Sequence, residues 1–61
     1  MYYLIYDKGD DIENVGTCHE TLHEAQEACK AMIAETGYYV YVSEYDSDVD
    51  AYNPVWIPYN D

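Results

Sequence analysis

The stretch TLHEAQEACKAMIAETGYYVYVSEY, residues 21–45, decides the fold, because a helix pattern in it runs directly into a strand pattern. Thr21 and Glu24 form a T-x-x-E capping box, which is typical of a helix N-terminus. Apolar and small side chains then recur with the helical period of about 3.6 residues, at Leu22, Ala25, Cys29, Met32, Ile33 and Thr36. Gly37 follows, and glycine is the usual residue just past a helix C-terminus. Thr17 and Glu20 offer a second capping box one turn earlier. The sequence therefore predicts a helix over about residues 21–36, with its start open by one turn.

Residues 38–45, YYVYVSEY, form the clearest strand pattern in the chain. Because side chains alternate across a strand, Val40 and Val42 share one face with Tyr38. The opposite face carries Tyr39, Tyr41, Ser43 and Tyr45. One face is thus suited to a hydrophobic core, and the other is aromatic.

Shorter segments on both sides complete a β-β-α-β-β order. Residues 2–6, YYLIY, are aromatic and β-branched, as strands usually are. Residues 12–17 alternate weakly and are predicted to return as the second strand of a hairpin. Residues 55–57 form a short last strand, preceded by an acidic loop over residues 46–54, where Pro54 argues against regular structure.

This order predicts one α+β domain, a small antiparallel sheet with a single helix packed on one face, spanning residues 1–61. Since one helix covers only one face of the sheet, the other face stays open. It carries Tyr39, Tyr41 and Tyr45, together with tyrosines of the first strand. An exposed aromatic patch on a small protein usually marks an interface. We therefore expect these tyrosines to bind a partner, either a second copy of the chain or another protein.

The charge of the chain restricts its partners. There are 13 Asp and Glu residues against two Lys, and the net charge is −11. Such a surface repels phosphates and anionic lipid and attracts basic proteins. Direct binding to nucleic acid is excluded, because phosphate neutralisation by Lys and Arg supplies most of that affinity. The ordinary explanation of an acidic surface is solubility. A disordered acidic tail would have few aromatic residues, whereas this chain has nine Tyr.

The pentapeptide HETLH, residues 19–23, matches the H-E-x-x-H signature of zinc peptidases. That chemistry requires both histidines on one helix, a third protein ligand and an open coordination position. The capping box at Thr21 starts the helix inside the motif, so His19 is expected to lie outside it. Two surface histidines at a helix start are the better interpretation.

Two further metal patterns fail on spacing. The possible soft ligands lack the paired spacing of zinc sites; they are Cys18, His19, His23 and Cys29. DSDVD, residues 46–50, resembles the start of a calcium loop, but Ala51 stands where glycine is required and Ile57 where glutamate is required. We therefore predict no catalytic residue, no bound metal, no cofactor and no enzymatic activity.

Two cysteines do not form a disulfide framework, and no apolar run approaches the about 20 residues of a membrane span. These features predict a cytoplasmic protein with free thiols and no membrane association.

The carboxylates fall into three groups, which are the candidate contacts to a basic partner. On one face of the predicted helix lie Glu20, Glu24, Glu27 and Glu35. Around the hairpin lie Asp7, Asp10, Asp11 and Glu13. In the acidic loop lie Asp46, Asp48 and Asp50. Successive helix members are about 5–6 Å apart along the axis, a scale similar to the spacing of charge along a nucleic acid strand.

With its acidic rows ETLHEAQE, residues 20–27, and YDSDVD, residues 45–50, the chain resembles small acidic inhibitors that bacteriophages make against host defences. These include DNA-mimic restriction inhibitors and some anti-CRISPR proteins. The resemblance rests on length, charge and the absence of Arg over the whole chain, and no family-specific motif is matched. It implies a phage protein that blocks a basic nucleic-acid-binding site on a nuclease complex in the host cytoplasm. The alternative is a small interaction or regulatory module, homodimeric through its tyrosines, whose charge serves solubility.

Overall fold

A computed structural model describes residues 1–59 and contains four strands and one helix in the predicted order. The elements are β1 (Tyr2–Asp7), β2 (Glu13–His19), α1 (Leu22–Thr36), β3 (Tyr39–Asp46) and β4 (Ala51–Trp56). The strands form one sheet in the order β2-β1-β3-β4, and every neighbouring pair is antiparallel. The predicted α+β class, with one helix on an antiparallel sheet, is confirmed.

The ends of α1 are set by the two residues that the sequence singled out. Thr21 is the N-cap, and its hydroxyl accepts a hydrogen bond from the Glu24 N–H at 3.1 Å. At the other end, the N–H of Gly37 donates to the carbonyl of Ile33 at 2.8 Å. Gly37 has φ 75° and ψ 6°, the left-handed conformation that glycine adopts without steric cost.

Replacing Gly37 with Ala should therefore destabilise the protein, because alanine is strained in the left-handed conformation. A steric clash contributes nothing, since a Cβ at this position would have no atom within 4 Å. We expect a loss of about 1–2 kcal/mol, measured as a lower urea midpoint with an unchanged slope. Gly37→Asn is the matched control, since asparagine tolerates this conformation better. An alanine variant as stable as the parent would contradict the assignment.

The core lies between α1 and the sheet. Its buried members are Leu4, Ala25, Cys29, Val40 and Val42. The register pairs Leu4 with Val42, so these two side chains meet the helix from adjacent strands. The thiol of Cys29 donates to the carbonyl of Val40 at 3.5 Å, and burial raises the pKa of this thiol to about 11. Cys29 is thus a protonated core residue, as its place on the apolar stripe indicates.

The last strand differs from the sequence-based prediction. The loop expected over residues 46–54 is confined to residues 47–50, and β4 begins at Ala51 and contains Pro54. Proline is tolerated because β4 is an edge strand, whose outward-facing groups need no partner in the sheet. The register also shifts between the pairs Val42–Trp56 and Ser43–Pro54, which accommodates one extra residue in β4.

Candidate functional site: the tyrosine face

The sheet face opposite α1 is covered by tyrosine side chains. Tyr39, Tyr41 and Tyr45 of β3 lie there, as their alternation with the buried valines predicts. Tyr3 of β1 joins them, paired with Ser43. Two tyrosines that were not among the predicted site residues complete the set, Tyr52 of β4 and Tyr59. These six residues are called the tyrosine face below.

The rings form two clusters. The turn cluster lies near the β3–β4 turn: Tyr52 contacts Tyr3 at 5.4 Å and Tyr45 at 5.1 Å between ring centroids. The hairpin cluster lies at the other end of β3, where Tyr39 contacts Tyr41 at 6.0 Å and stacks on Tyr59 at 4.5 Å. These separations are typical of favourable aromatic pairs. Each ring is therefore held by its neighbours, and the face is organised before any partner arrives.

One hydroxyl in each cluster donates to a carboxylate. The Tyr41 hydroxyl donates to Glu13 Oε2 at 2.9 Å, and the Tyr45 hydroxyl donates to Asp50 Oδ1. Burial, followed by the bond to Glu13, raises the pKa of Tyr41 to about 12. The bond to Asp50 is the main reason that the pKa of Tyr45 is raised. Both phenols therefore remain donors at neutral pH, and the face joins aromatic and acidic side chains in one surface.

The raised pKa of Tyr41 makes stability depend on alkaline pH. In the unfolded chain this phenol loses its proton near pH 10.0, whereas in the folded protein it keeps the proton up to about pH 12. The unfolded state therefore binds fewer protons in this range, and stability falls as pH rises through it. In Tyr41→Phe the free energy of unfolding should decline less steeply between these two pH values. The slope reports how many more protons the folded state binds than the unfolded state, and this number should be smaller by up to one. Urea titrations at several pH values measure this, and parallel declines would contradict it.

Two small or apolar residues lie beneath the rings. Ile5 is 2% exposed and pairs with Tyr41. Since the Tyr41 hydroxyl reaches Glu13 on β2, its ring passes across β1 above Ile5. Ser43 is fully buried where the Tyr3–Tyr52 contact spans β3, and its Oγ has no hydrogen-bond partner among residues 1–59. Its small side chain lets rings from the two flanking strands meet.

Two of the three predicted acidic groups lie at opposite ends of the sheet. The hairpin group runs from the last residue of β1 to the first residue of β2, and the Asp46–Asp50 group borders the β3–β4 turn. A strand rises about 3.4 Å per residue, so the eight residues of β3 separate them by about 24 Å. Some of these carboxylates also shape their turns. Asp7 accepts from the Gly9 N–H at 2.7 Å, and Asp46 accepts from the Asp48 N–H at 2.9 Å.

The third acidic group is on the far side of the molecule from the tyrosine face. Glu24, Glu27 and Glu35 are exposed on α1. The prediction that Glu20 belongs to this helical row is wrong, because Thr21 caps the helix and Glu20 precedes it. A single flat partner surface cannot contact both the helix row and the tyrosine face.

The HETLH residues are divided between two elements. His19 ends β2, where its Nε2 lies 2.8 Å from the Thr17 hydroxyl. His23 is in the first turn of α1, 81% exposed, with its Nε2 4.0 Å from Glu27 Oε1. The two rings thus do not share one helical face. Within residues 1–59, no three His, Cys, Asp or Glu side chains gather as potential metal ligands. In the same range, no helix is long and apolar enough to cross a membrane.

Comparison of the chain with protein-family models, with curated proteins and with solved structures found no match. The chemistry of its surface is therefore the guide to its function.

Proposed function

We propose that the protein is a stoichiometric inhibitor that binds and blocks a basic nucleic-acid-binding site on a host-defence or nucleic-acid-processing protein. The observation that carries this proposal is that its negative charge is almost uncompensated. The net charge is −11, and the one ion pair among residues 1–59 joins Glu27 to a histidine, not to a lysine. The carboxylates are therefore available to cations of another molecule.

Uncompensated charge favours this mode of action for two reasons. A strong field steers oppositely charged partners and raises the rate of encounter. A nucleic-acid-binding groove uses Lys and Arg to neutralise a row of phosphates, and these cations can also accept carboxylates. Carboxylates at both ends of the sheet present such anions on a small rigid body, whose largest extent is 32 Å.

The exposed aromatic rings support a second candidate function, an interaction module that is homodimeric through the tyrosine face. Charge weighs against it, because Glu13 and Asp50 belong to the same surface and pairing two copies would bury like charges together. Light scattering at low and high salt distinguishes the two. The inhibitor stays monomeric at both, whereas the dimer forms and strengthens as salt screens the repulsion.

The proposed function is tested by immobilising the protein and passing bacterial lysate over it, with elution by a salt gradient. We expect a nucleic-acid-binding protein to elute as salt rises and to be displaced by duplex DNA. The purified partner should then lose its activity in a titration that ends at equimolar inhibitor. A partner that ignores both salt and DNA, or the retention of no nucleic-acid-binding protein, would overturn the proposal.

A further inference from the structure

The tyrosine face contains the same arrangement twice. In each cluster an aromatic ring is held beside a carboxylate by the hydrogen bond between them, Tyr41 with Glu13 and Tyr45 with Asp50. A phenol that donates to a carboxylate gains electron density, which strengthens the attraction of its ring for a cation. The carboxylate keeps further lone pairs for a second donor, because an ionised carboxylate accepts about four hydrogen bonds.

This arrangement suits a guanidinium group better than an ammonium group. The guanidinium of arginine is planar, stacks on aromatic rings, and donates to a carboxylate through two parallel N–H groups. Ammonium is a compact ion that is more strongly hydrated, so it loses more on leaving water. Tyr39 and Tyr52, next to the two pairs, are 48% and 40% exposed and widen the surface available for stacking.

We propose that the tyrosine face is the surface that docks the partner and that it recognises arginine, with the Tyr41–Glu13 and Tyr45–Asp50 pairs each receiving one guanidinium group. The inference rests on the proposed function, in which the partner is basic. Charge complementarity identifies the occupant, because the face carries two hydrogen-bonded carboxylates. The Lys8 ammonium, in the β1–β2 turn, lies 6.0 Å from the Tyr6 ring on the opposite face.

The two pairs have a defined separation. Tyr41 and Tyr45 are four positions apart on β3, so their Cα atoms are about 13–14 Å apart. The Tyr41 side chain reaches across β1 to Glu13, whereas Tyr45 bonds Asp50 at the β3–β4 turn, so the two pairs lie at least this far apart. A partner that fills both pairs therefore presents two arginines with a matching separation. Ser43 lies midway on the same face, fully buried, with its hydroxyl unpaired among residues 1–59. The Tyr3 and Tyr52 rings cover this hydroxyl, so the docked arginines contact the pairs on either side of it and not Ser43 itself.

The test uses two probes of equal charge, an octa-arginine and an octa-lysine peptide, with calorimetry at about 0.1 M salt, where surface charges still act over about 10 Å. We expect the protein to bind octa-arginine about tenfold more tightly than octa-lysine, the size of effect that one or two cation–π contacts produce. Salt should weaken both complexes.

Two variants of equal charge locate the site. Glu13→Gln with Asp50→Asn removes two charges from the tyrosine face, and Glu24→Gln with Glu27→Gln removes two from α1. Both leave a net charge of −9, since −11 + 2 = −9. The amide oxygens still accept the phenol hydrogen bonds, and asparagine suits position 50, where φ is 51°. The face variant should lose most of the preference for octa-arginine over octa-lysine. The helix variant should bind both peptides more weakly, by the same factor, and keep the preference.

Each outcome decides between the two proposals. If the protein binds both peptides equally, or if the face variant keeps the preference, arginine recognition is wrong and charge mimicry remains. If neither peptide binds even at low salt, both proposals fail. If the preference disappears only in the face variant, the tyrosine face is the docking surface.

Discussion

Leu4→Ala should cost the protein most of its stability. Leu4 is 2% exposed and packs against the buried residues of α1 and β3. Truncating a buried leucine to alanine costs about 2–5 kcal/mol, since the cavity closes only in part. A domain of 61 residues has a total stability of about 3–9 kcal/mol at typical values per residue. We expect the urea midpoint to fall by half or more, with a detectable unfolded population at room temperature.

Ile12→Ala is the matched control for this change. Isoleucine has the same number of carbon atoms as leucine, but Ile12 is 58% exposed in the hairpin turn. Its truncation should change stability by less than about 0.5 kcal/mol. If both variants lose the same amount, the core does not lie between the helix and the sheet as described.

Tyr59→Phe should give the second largest loss, about 1–3 kcal/mol, from hydrogen bonding alone. β4 ends at Trp56, so the first part of β3 has no strand beside it on that side. The Tyr59 hydroxyl takes the place of that strand. It accepts from the Val40 N–H at 3.2 Å and donates to the Tyr38 carbonyl at 3.3 Å. Phenylalanine keeps the stacking on Tyr39 but removes both hydrogen bonds, and the part-buried Val40 N–H loses its partner.

Hydrogen exchange at the Val40 amide is the direct measurement. Its protection should fall in Tyr59→Phe, while the amide of Val42, which lies within the paired part of β3, stays protected. The control variant Tyr52→Phe changes a tyrosine of the turn cluster and should leave the Val40 amide unaffected. Unchanged protection of Val40 in Tyr59→Phe would contradict the bridging role of this hydroxyl.

The helix and the central strand are predictable from the sequence because their signals are local. Thr21, Glu24 and Gly37 mark the helix ends, and the alternation from Tyr39 to Tyr45 assigns each side chain to a face. These patterns need no knowledge of the rest of the chain. The open tyrosine face then follows from having one helix for two sheet faces.

The remainder depends on contacts between distant residues. Pro54 indicates a loop until the strand order shows that β4 is at the edge, and only then does proline fit. Tyr52 joins the face because it pairs with Tyr45 in the sheet. Tyr59 joins it through a hydrogen bond to Val40, which is 19 positions earlier in the chain. No local pattern in the sequence marks either tyrosine as part of the face.

The pairing of phenols with carboxylates is also a tertiary effect. Glu13 and Tyr41 are 28 residues apart in the chain. They come together because β2 and β3 both pair with β1, so that only one strand separates them and the tyrosine side chain can reach across it. From composition alone, acidic and aromatic residues look like two separate candidate surfaces. The fold merges part of each into one.

The fold also separates two chemically identical side chains. Cys29 is sealed in the core with its pKa raised to about 11, whereas Cys18 is exposed on β2, next to Tyr3 of the tyrosine face. Because the thiolate is the species that reacts with alkylating reagents, only Cys18 is open to labelling in the native protein. A fluorophore or spin label can therefore be placed beside the tyrosine face without changing a single residue, and a loss of its mobility on adding a partner would show that the partner binds there.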